Sequence, residues 1–238
     1  MGLKDRVAII TGATGGLGSI VARRMAEEGA RLALLSTNME RLEQLQASLS
    51  LPDERVMTHT VDLGDADATL EAARIVREKF SQADILLHLV GGWTGGKSVL
   101  DAPTSDVQSM LDQHVWTTFN TLQAFIPMLV ENGWGRVLAI STPFAMRPAA
   151  NGAPYALAKA AQEALLLGLS QELKETNVTT NIIQVRSIEV SKDPGQPGTA
   201  KKASSTSAEE ITSLILYLCS EETGKINGAR IPMQGSYI

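Results

Sequence analysis

Tyr155 and Lys159 stand four residues apart in Tyr-Ala-Leu-Ala-Lys, a spacing that puts both side chains on one face of a helix. A free phenol has a pKa of about 10, too high for easy proton exchange at neutral pH. A lysine ammonium about 5 Å away, at an effective dielectric of about 20, contributes roughly 3 kcal/mol, or about two pKa units. That brings the phenol toward the range of a general acid or base. The pair suits protonation of a carbonyl oxygen, or its reverse. A second constellation lies near the start of the chain, where VAII runs into TGATGGLG and then IVARRMAEEG. Gly12, Gly16 and Gly18 allow a tight turn, a close backbone approach to a pyrophosphate and close helix–sheet packing. The helix that follows offers free amides and a partial positive charge to phosphate oxygens. Directly after a first strand and opening a helix, such a turn is a strong signal for a dinucleotide.

Those residues need a scaffold, and the apolar pattern supplies one. Strands are expected at 6–10, 31–36, 55–61, 84–89, 136–141, 178–184 and 229–232, with helices near 16–28, 39–49, 66–80, 104–131, 155–175 and 207–220. The alternation predicts an α/β fold, a doubly wound parallel sheet of the Rossmann type in three α/β/α layers. VAII, LALL and DILLHLV are nearly continuous in apolar residues, as strands buried on both faces should be. A chain of 238 residues fits one such domain over 1–238. Residues 190–206, VSKDPGQPGTAKKASST, have no apolar periodicity and read as a mobile loop. It is either a lid over the mouth of a site or a disordered excursion. Ser207 with Glu210 three residues on forms a capping box that starts the next helix.

The three-residue gap in TGxxxGxG, Asp62 in VDL, HLVGG at 88–92, GRVLAIST, the Tyr155–Lys159 pair and INGARIPMQG follow one another along the chain. In this order they resemble the short-chain dehydrogenase/reductase family over nearly the whole length. The resemblance implies an NAD(P)-dependent oxidoreductase acting on a CH–OH or C=O group. Tyr155 would be its proton donor, and Lys159 would also bind the nicotinamide ribose. It further implies that Asp62 meets the adenine ring. Other cofactor contacts are expected at Gly12, Thr14, Gly15, Gly16, Leu17, Gly18, Ser36, Thr37, Asn38, Leu63, Val90, Gly91 and Ile188. Thirteen residues before the tyrosine the family has a serine that polarises the substrate carbonyl. Thr142 stands there, with the same hydroxyl but a methyl that narrows the pocket. Ser141 is expected to face the other side of the strand. His114 occupies the place of the family's catalytic asparagine, either as a water-relayed proton path or as a packed ring without a role.

Other positions depart from the family pattern. Leu89-Val90-Gly91 replaces an Asn-Ala-Gly segment, and Val185-Arg186 replaces a Pro-Gly pair. A buried guanidinium needs an anionic partner. For Arg186 this is Glu189 or a carboxylate or phosphate of the substrate, and Arg147 is expected to flank the same pocket. The second strand closes as LLSTNME, with Ser36, Thr37 and Asn38 where an acid would hold the ribose hydroxyls and repel a 2′-phosphate. This favours NADP(H). NAD(H) stays possible, because Gly15 and Thr37 stand where NADP-using relatives often place arginine. Hydroxyl and amide donors hold a phosphate more weakly than charged ones.

Composition excludes several classes. With 21 Lys+Arg against 26 Asp+Glu and a net charge of -5, a nucleic-acid partner is not expected. Cys219 is the only cysteine, so there is no internal disulfide and no thiolate metal cage. In LILYLCS it reads as a buried, inert thiol. No metal site is expected. No apolar run reaches membrane-spanning length, the N-terminus lacks signal-peptide features, and Arg6 stands where a myristoylation site wants Ser or Thr. A cytoplasmic protein is expected. WTTFNTLQAFIPML and EALLLGLSQEL are apolar around more than one helix face. Their second faces are expected to pack against another copy, which the resemblance makes a four-helix interface in a homodimer or homotetramer. Two function classes follow. One is an enzyme acting on a small-molecule carbonyl or alcohol. The other is a dinucleotide-binding protein with weak or no turnover that serves as a sensor or subunit partner. Tyr155 and Lys159 favour the first, and the altered 185–186 segment favours the second.

Overall fold

The run Val7–Thr11 forms the first strand, β1, with every residue buried. Successive side chains of a strand point to opposite faces, so Ala8 and Ile10 join one apolar cluster while Val7 and Ile9 join another. β2 (Arg31–Ser36) divides in the same way, Leu32 and Leu34 to one side, Ala33 and Leu35 to the other. A sheet buried on both faces needs two helical layers. α1 (Gly16–Glu27), α2 (Met39–Leu49) and α7 (Ala208–Leu218) cover the first face. α3 (Ala66–Phe80), α5 (Thr117–Glu131) and α6 (Ala153–Glu172) cover the second. The computed structural model describes residues 2–190 and 205–233.

With β3 (Val56–Thr60), β4 (Ile85–His88), β5 (Gly135–Ser141), β6 (Val178–Gln184) and β9 (Arg230–Pro232), the strands make one seven-stranded sheet ordered β3-β2-β1-β4-β5-β6-β9. Every pairing in it is parallel. This is the expected doubly wound Rossmann architecture. The chain steps from β1 outward to β3, then returns to place β4 on the other side of β1. Such a reversal opens a crevice at the carboxyl ends of the two central strands. A second, two-stranded sheet pairs β7 (Ile188–Glu189) with β8 (Thr206–Ser207). The sequence pattern did not predict it, since two residues carry no periodicity.

Local chemistry explains most helix starts. Asn38 and Asp65 accept from the amides of Arg41 and Ala68, and the Ser207–Glu210 capping box closes as expected. Pro154 sits in the first turn of α6, which therefore starts at Ala153. The helix expected over 104–131 is not continuous. α4 (Thr104–Leu111) runs into a π-turn, Asp112–Trp116, before α5 begins. A π-turn breaks the i→i−4 ladder and frees carbonyls. The Thr117 and Thr118 hydroxyls donate to two of them, on Gln113 (2.7 Å) and His114 (2.6 Å). The loop expected at 190–206 lies mostly outside the described residues. Its described ends are tied together by Ile188 opposite Thr206 and by the Ser205 hydroxyl on the Glu189 carboxylate. No helix among the described residues is long and apolar enough to cross a membrane.

Candidate active site

The glycine turn leaves β1 at the crevice. Gly12 has φ +65°, and a Cβ there would stand 3.0 Å from the backbone carbonyl of Leu89. A Cβ on Gly18 would come 2.3 Å from the Gly12 oxygen, so α1 rests directly on the turn. No side chain caps the first amides of α1, which leaves donors for an anion. From this turn a trench runs in two directions. The outer chamber, about 990 Å³, is lined by Gly12, Gly15, Ser36, Thr37, Asp62, Leu63, Val90 and Gly91 among others. The inner chamber, about 410 Å³, shares Gly12, Gly15, Val90 and Gly91. It adds Gly16, Leu17, Gly18 and Ile188, then His114, Tyr155 and Lys159. An elongated molecule with a phosphate group at its middle fits this shape.

Most residues expected to hold a dinucleotide therefore border one trench. Two differ. Thr14 places its hydroxyl 2.6 Å from that of Ser36 and borders neither chamber. Asn38 spends its carbonyl oxygen capping α2 and borders neither chamber. Asp62 lines the outer chamber while its carboxylate accepts from the amide of Gly64 at 2.8 Å. None of the outer-chamber residues is Lys or Arg.

Tyr155 and Lys159 open on the inner chamber from one face of α6. Thr142, just past β5, is buried and borders neither chamber; its hydroxyl accepts from the amide of Phe144 at 3.4 Å and acts on the Tyr155 phenol. The electrostatics differ from the sequence expectation. Burial pushes the phenol up to about 12, with the Thr142 hydrogen bond pulling the other way. Lys159 does not hold it down. Its Nζ donates to the carbonyl of Ile140 and to Oε1 of Gln162, both at 2.8 Å. Burial lowers this amine to about 7, opposed by the Glu163 carboxylate. The amine is thus committed to two neighbours and only partly charged at neutral pH.

His114, carried by the π-turn, meets the Tyr155 ring edge-on at 5.6 Å between centroids. Its Nε2 lies 3.0 Å from the carbonyl of Gly92. A carbonyl only accepts, so this nitrogen carries the proton. The Nδ1 lone pair is buried without a hydrogen-bond partner among the described residues. Burial and the charge of Lys159 lower the ring to about 3, so at neutral pH His114 is an uncharged acceptor at Nδ1. Ser141, expected to face away, also borders the inner chamber, and its buried Oγ finds no partner among the described residues. Arg186 borders the same chamber, with its guanidinium carbon 5.9 Å from the centre of the Phe144 ring. Arg147 borders neither chamber.

Sequence reasoning passed over Gln162, Thr118 and His88. Gln162 is fully buried. While its oxygen accepts from Lys159, its Nε2 donates to the Thr118 hydroxyl at 2.8 Å, which donates in turn to the carbonyl of His114. A chain of buried dipoles thus ties the lysine to the π-turn. The available signal was a lone amide in AAQEALLLG, three residues past Lys159. His88 closes β4 with Nδ1 3.0 Å from the Thr11 hydroxyl and is lowered to about 3, first by burial, then by Lys159 and His114.

Comparison with known proteins agrees with this frame. A family model described as short chain dehydrogenase matches residues 6–193. An uncharacterized oxidoreductase of Staphylococcus epidermidis is 26% identical over 216 residues, covering 90% of this chain and 91% of that one. Dehydrogenase/reductase SDR family member 4 of Bos taurus is 26% identical, covering 98% and 87%. Among solved structures, a mutant short-chain dehydrogenase/reductase of Serratia marcescens superposes with a TM-score of 0.86 at 26% identity, covering 99% of this chain and 98% of that one. A short chain dehydrogenase of Burkholderia cenocepacia in complex with NADP gives 0.85 at 26% identity, with 99% of both chains covered. Matched over most of its length and superposed almost end to end on such structures, this chain belongs to the short-chain dehydrogenase/reductase family of oxidoreductases.

Proposed function

We propose that the chain interconverts a small-molecule carbonyl and its alcohol with NADP(H), Tyr155 giving the proton to the carbonyl oxygen. One observation carries this reading. The Tyr155 phenol opens on the same trench as the uncapped glycine turn. The dinucleotide supplies the hydride when bound. The amides at the start of α1 hold its phosphates, Ser36 and Thr37 meet the ribose that can carry a 2′-phosphate, and Asp62 meets the adenine. Thr142 orients the carbonyl oxygen toward Tyr155. Lys159, once turned toward a ribose at the inner chamber, brings its charge near the phenol. At about 5 Å this lowers the phenol by roughly two units, offsetting what burial adds. The test is oxidation of NADPH against a panel of carbonyl compounds. Tight NADPH binding with no carbonyl reduced would overturn the reading in favour of a dinucleotide-binding sensor. That second reading is favoured by the raised phenol and the committed lysine.

NADP(H) is preferred because no carboxylate stands at Ser36, and the NADP complex of the Burkholderia relative supports the choice. NAD(H) remains the alternative cofactor. Fluorescence titration should find NADPH bound at least as tightly as NADH. Ser36→Asp should reverse the order by tenfold or more through repulsion of the 2′-phosphate. NADH clearly tighter in the unaltered protein would refute the assignment.

The chain is also proposed to work as a homodimer or homotetramer. α5 and α6 leave between them a groove of about 700 Å³ lined largely by apolar residues such as Phe119, Leu122, Ile126 and Leu165. A second copy related by a two-fold axis would cover it. Light scattering at micromolar concentration should give a multiple of the chain mass, and Phe119→Asp should shift it toward one chain. A single-chain mass for the unaltered protein would count against this.

A further inference from the structure

Beside Tyr155, away from the glycine turn, lies a third cavity of about 320 Å³. Its walls are the Trp93 indole, the Phe144 ring and the small residues Ala149, Ala150 and Gly152, with Tyr155 at its edge. No charged side chain lines it. From this juxtaposition we infer that the cavity is a ring-binding subsite, and that the preferred substrate is a neutral carbonyl compound bearing an aryl group, or the matching benzylic alcohol. The inference rests on the oxidoreductase reading and specifies its substrate class.

The subsite is built rather than incidental. The 91–96 loop reaches over the cavity and is stitched to the far wall by the amide of Gly96 on the carbonyl of Asn151, at 2.7 Å. A Cβ on Gly95 would stand 2.7 Å from the indole and 2.9 Å from that same carbonyl. The loop backbone therefore lies flat against Trp93. Trp93 is nonetheless 63% exposed. Apolar surface left to water at the mouth of a pocket is what a ring can cover. Two aromatic walls add the offset and edge-on contacts that favour a flat π-system over a flexible alkyl chain. The size is at the lower end of small-ligand pockets, enough for an aromatic ring with a short substituent.

Position makes the assignment chemical. Tyr155 lines both this cavity and the inner chamber, and Trp93 lines all three. A ring held between Trp93 and Phe144 brings a carbonyl attached to it to the phenol. Bound NADPH would supply the hydride to the carbonyl carbon and leave as NADP⁺, while Tyr155 would give its proton to the oxygen and regain one from solvent, releasing the benzylic alcohol. Arg186 borders the inner chamber and not this cavity, reaching it only through the Phe144 ring, 5.9 Å from the guanidinium carbon.

The experiment compares kcat/KM for acetophenone, a linear methyl ketone of equal carbon number, and pyruvate. Acetophenone is expected to exceed both by at least tenfold. Trp93→Ala and Phe144→Ala should each reduce the acetophenone-to-linear ratio by tenfold or more, while Trp93→Phe should keep most of it. A ratio near one in the unaltered protein, or a preference for pyruvate, overturns the ring subsite and leaves the carbonyl-reductase reading standing. A turnover-free arm keeps the two separate. Acetophenone binding to the NADP⁺-loaded protein, followed by ligand-observed NMR, should be saturable and weaken at least fivefold in Trp93→Ala. Such binding with no carbonyl reduced keeps the subsite and refutes the oxidoreductase reading. Binding equal in Trp93→Ala refutes the subsite.

Discussion

Tyr155→Phe is expected to lower kcat by about 10³-fold while NADPH affinity stays within a few-fold. The phenylalanine keeps the ring that packs against His114 and removes only the hydroxyl proposed to donate the proton, on which Thr142 acts. Positioned general acids contribute typically 10²–10⁴ in rate. His114, lowered to about 3, is neutral, and its one proton is held on the Gly92 carbonyl. Lys159→Ala should damage both turnover and NADPH binding. It removes the charge proposed to act on the phenol and the group proposed to hold the ribose, and it strands Gln162 Oε1 in the interior. Stopped-flow rates with parallel fluorescence titrations separate the two effects. Turnover surviving in Tyr155→Phe would mean that another proton source, such as solvent reaching His114 Nδ1, serves the site.

A loss of stability in mild acid is the second large effect, and it is independent of any substrate. His88 and His114 are both lowered from 6.5 to about 3, burial being the first cause for each. Above pH 6.5 neither the folded nor the unfolded chain protonates them, and they make no contribution to pH dependence. Between pH 6.5 and 3 the unfolded chain binds two protons that the folded chain refuses, so stability falls as pH falls through that window. At pH 5 each histidine accounts for about 2 kcal/mol of this loss, together about 4 kcal/mol. Urea unfolding at pH 7.5 and pH 5 measures it. His88→Gln should remove about half of the pH-dependent part, even where it lowers stability at both pH values by disturbing the Thr11 contact. An unchanged difference between the two pH values in that variant would rule out His88 as a source.

The buried histidines and the committed lysine share a cause that lies in the third dimension. His88 ends a central strand, His114 hangs from the π-turn and Lys159 comes from α6. Parallel pairing brings β4 next to β5, and packing sets α6 against the π-turn. Three titratable groups distant in sequence are thereby buried close together, burial being the first cause of each lowered pKa, with Lys159 adding to the effect on both histidines. The spacing of Tyr155 and Lys159 correctly put both on one helix face. It carried no information on whether the Nζ turns to the phenol or to Gln162.

From the residue order alone came the alternation of strand and helix, the glycine turn at the head of the first helix, the cap at Ser207, and the pairing of tyrosine with lysine. All are local or periodic features, written within a few turns of chain, and the physical rules that read them need no partner from elsewhere. Tertiary structure alone decided the break at Asp112–Trp116, the Lys159–Gln162–Thr118 chain, the depressed histidines and the aromatic cavity between Trp93 and Phe144. Each depends on desolvation and on contacts between elements far apart in sequence. A side chain's electrostatic state follows from which neighbours replace its water, and those neighbours are known only once the sheet and its helices have been assembled.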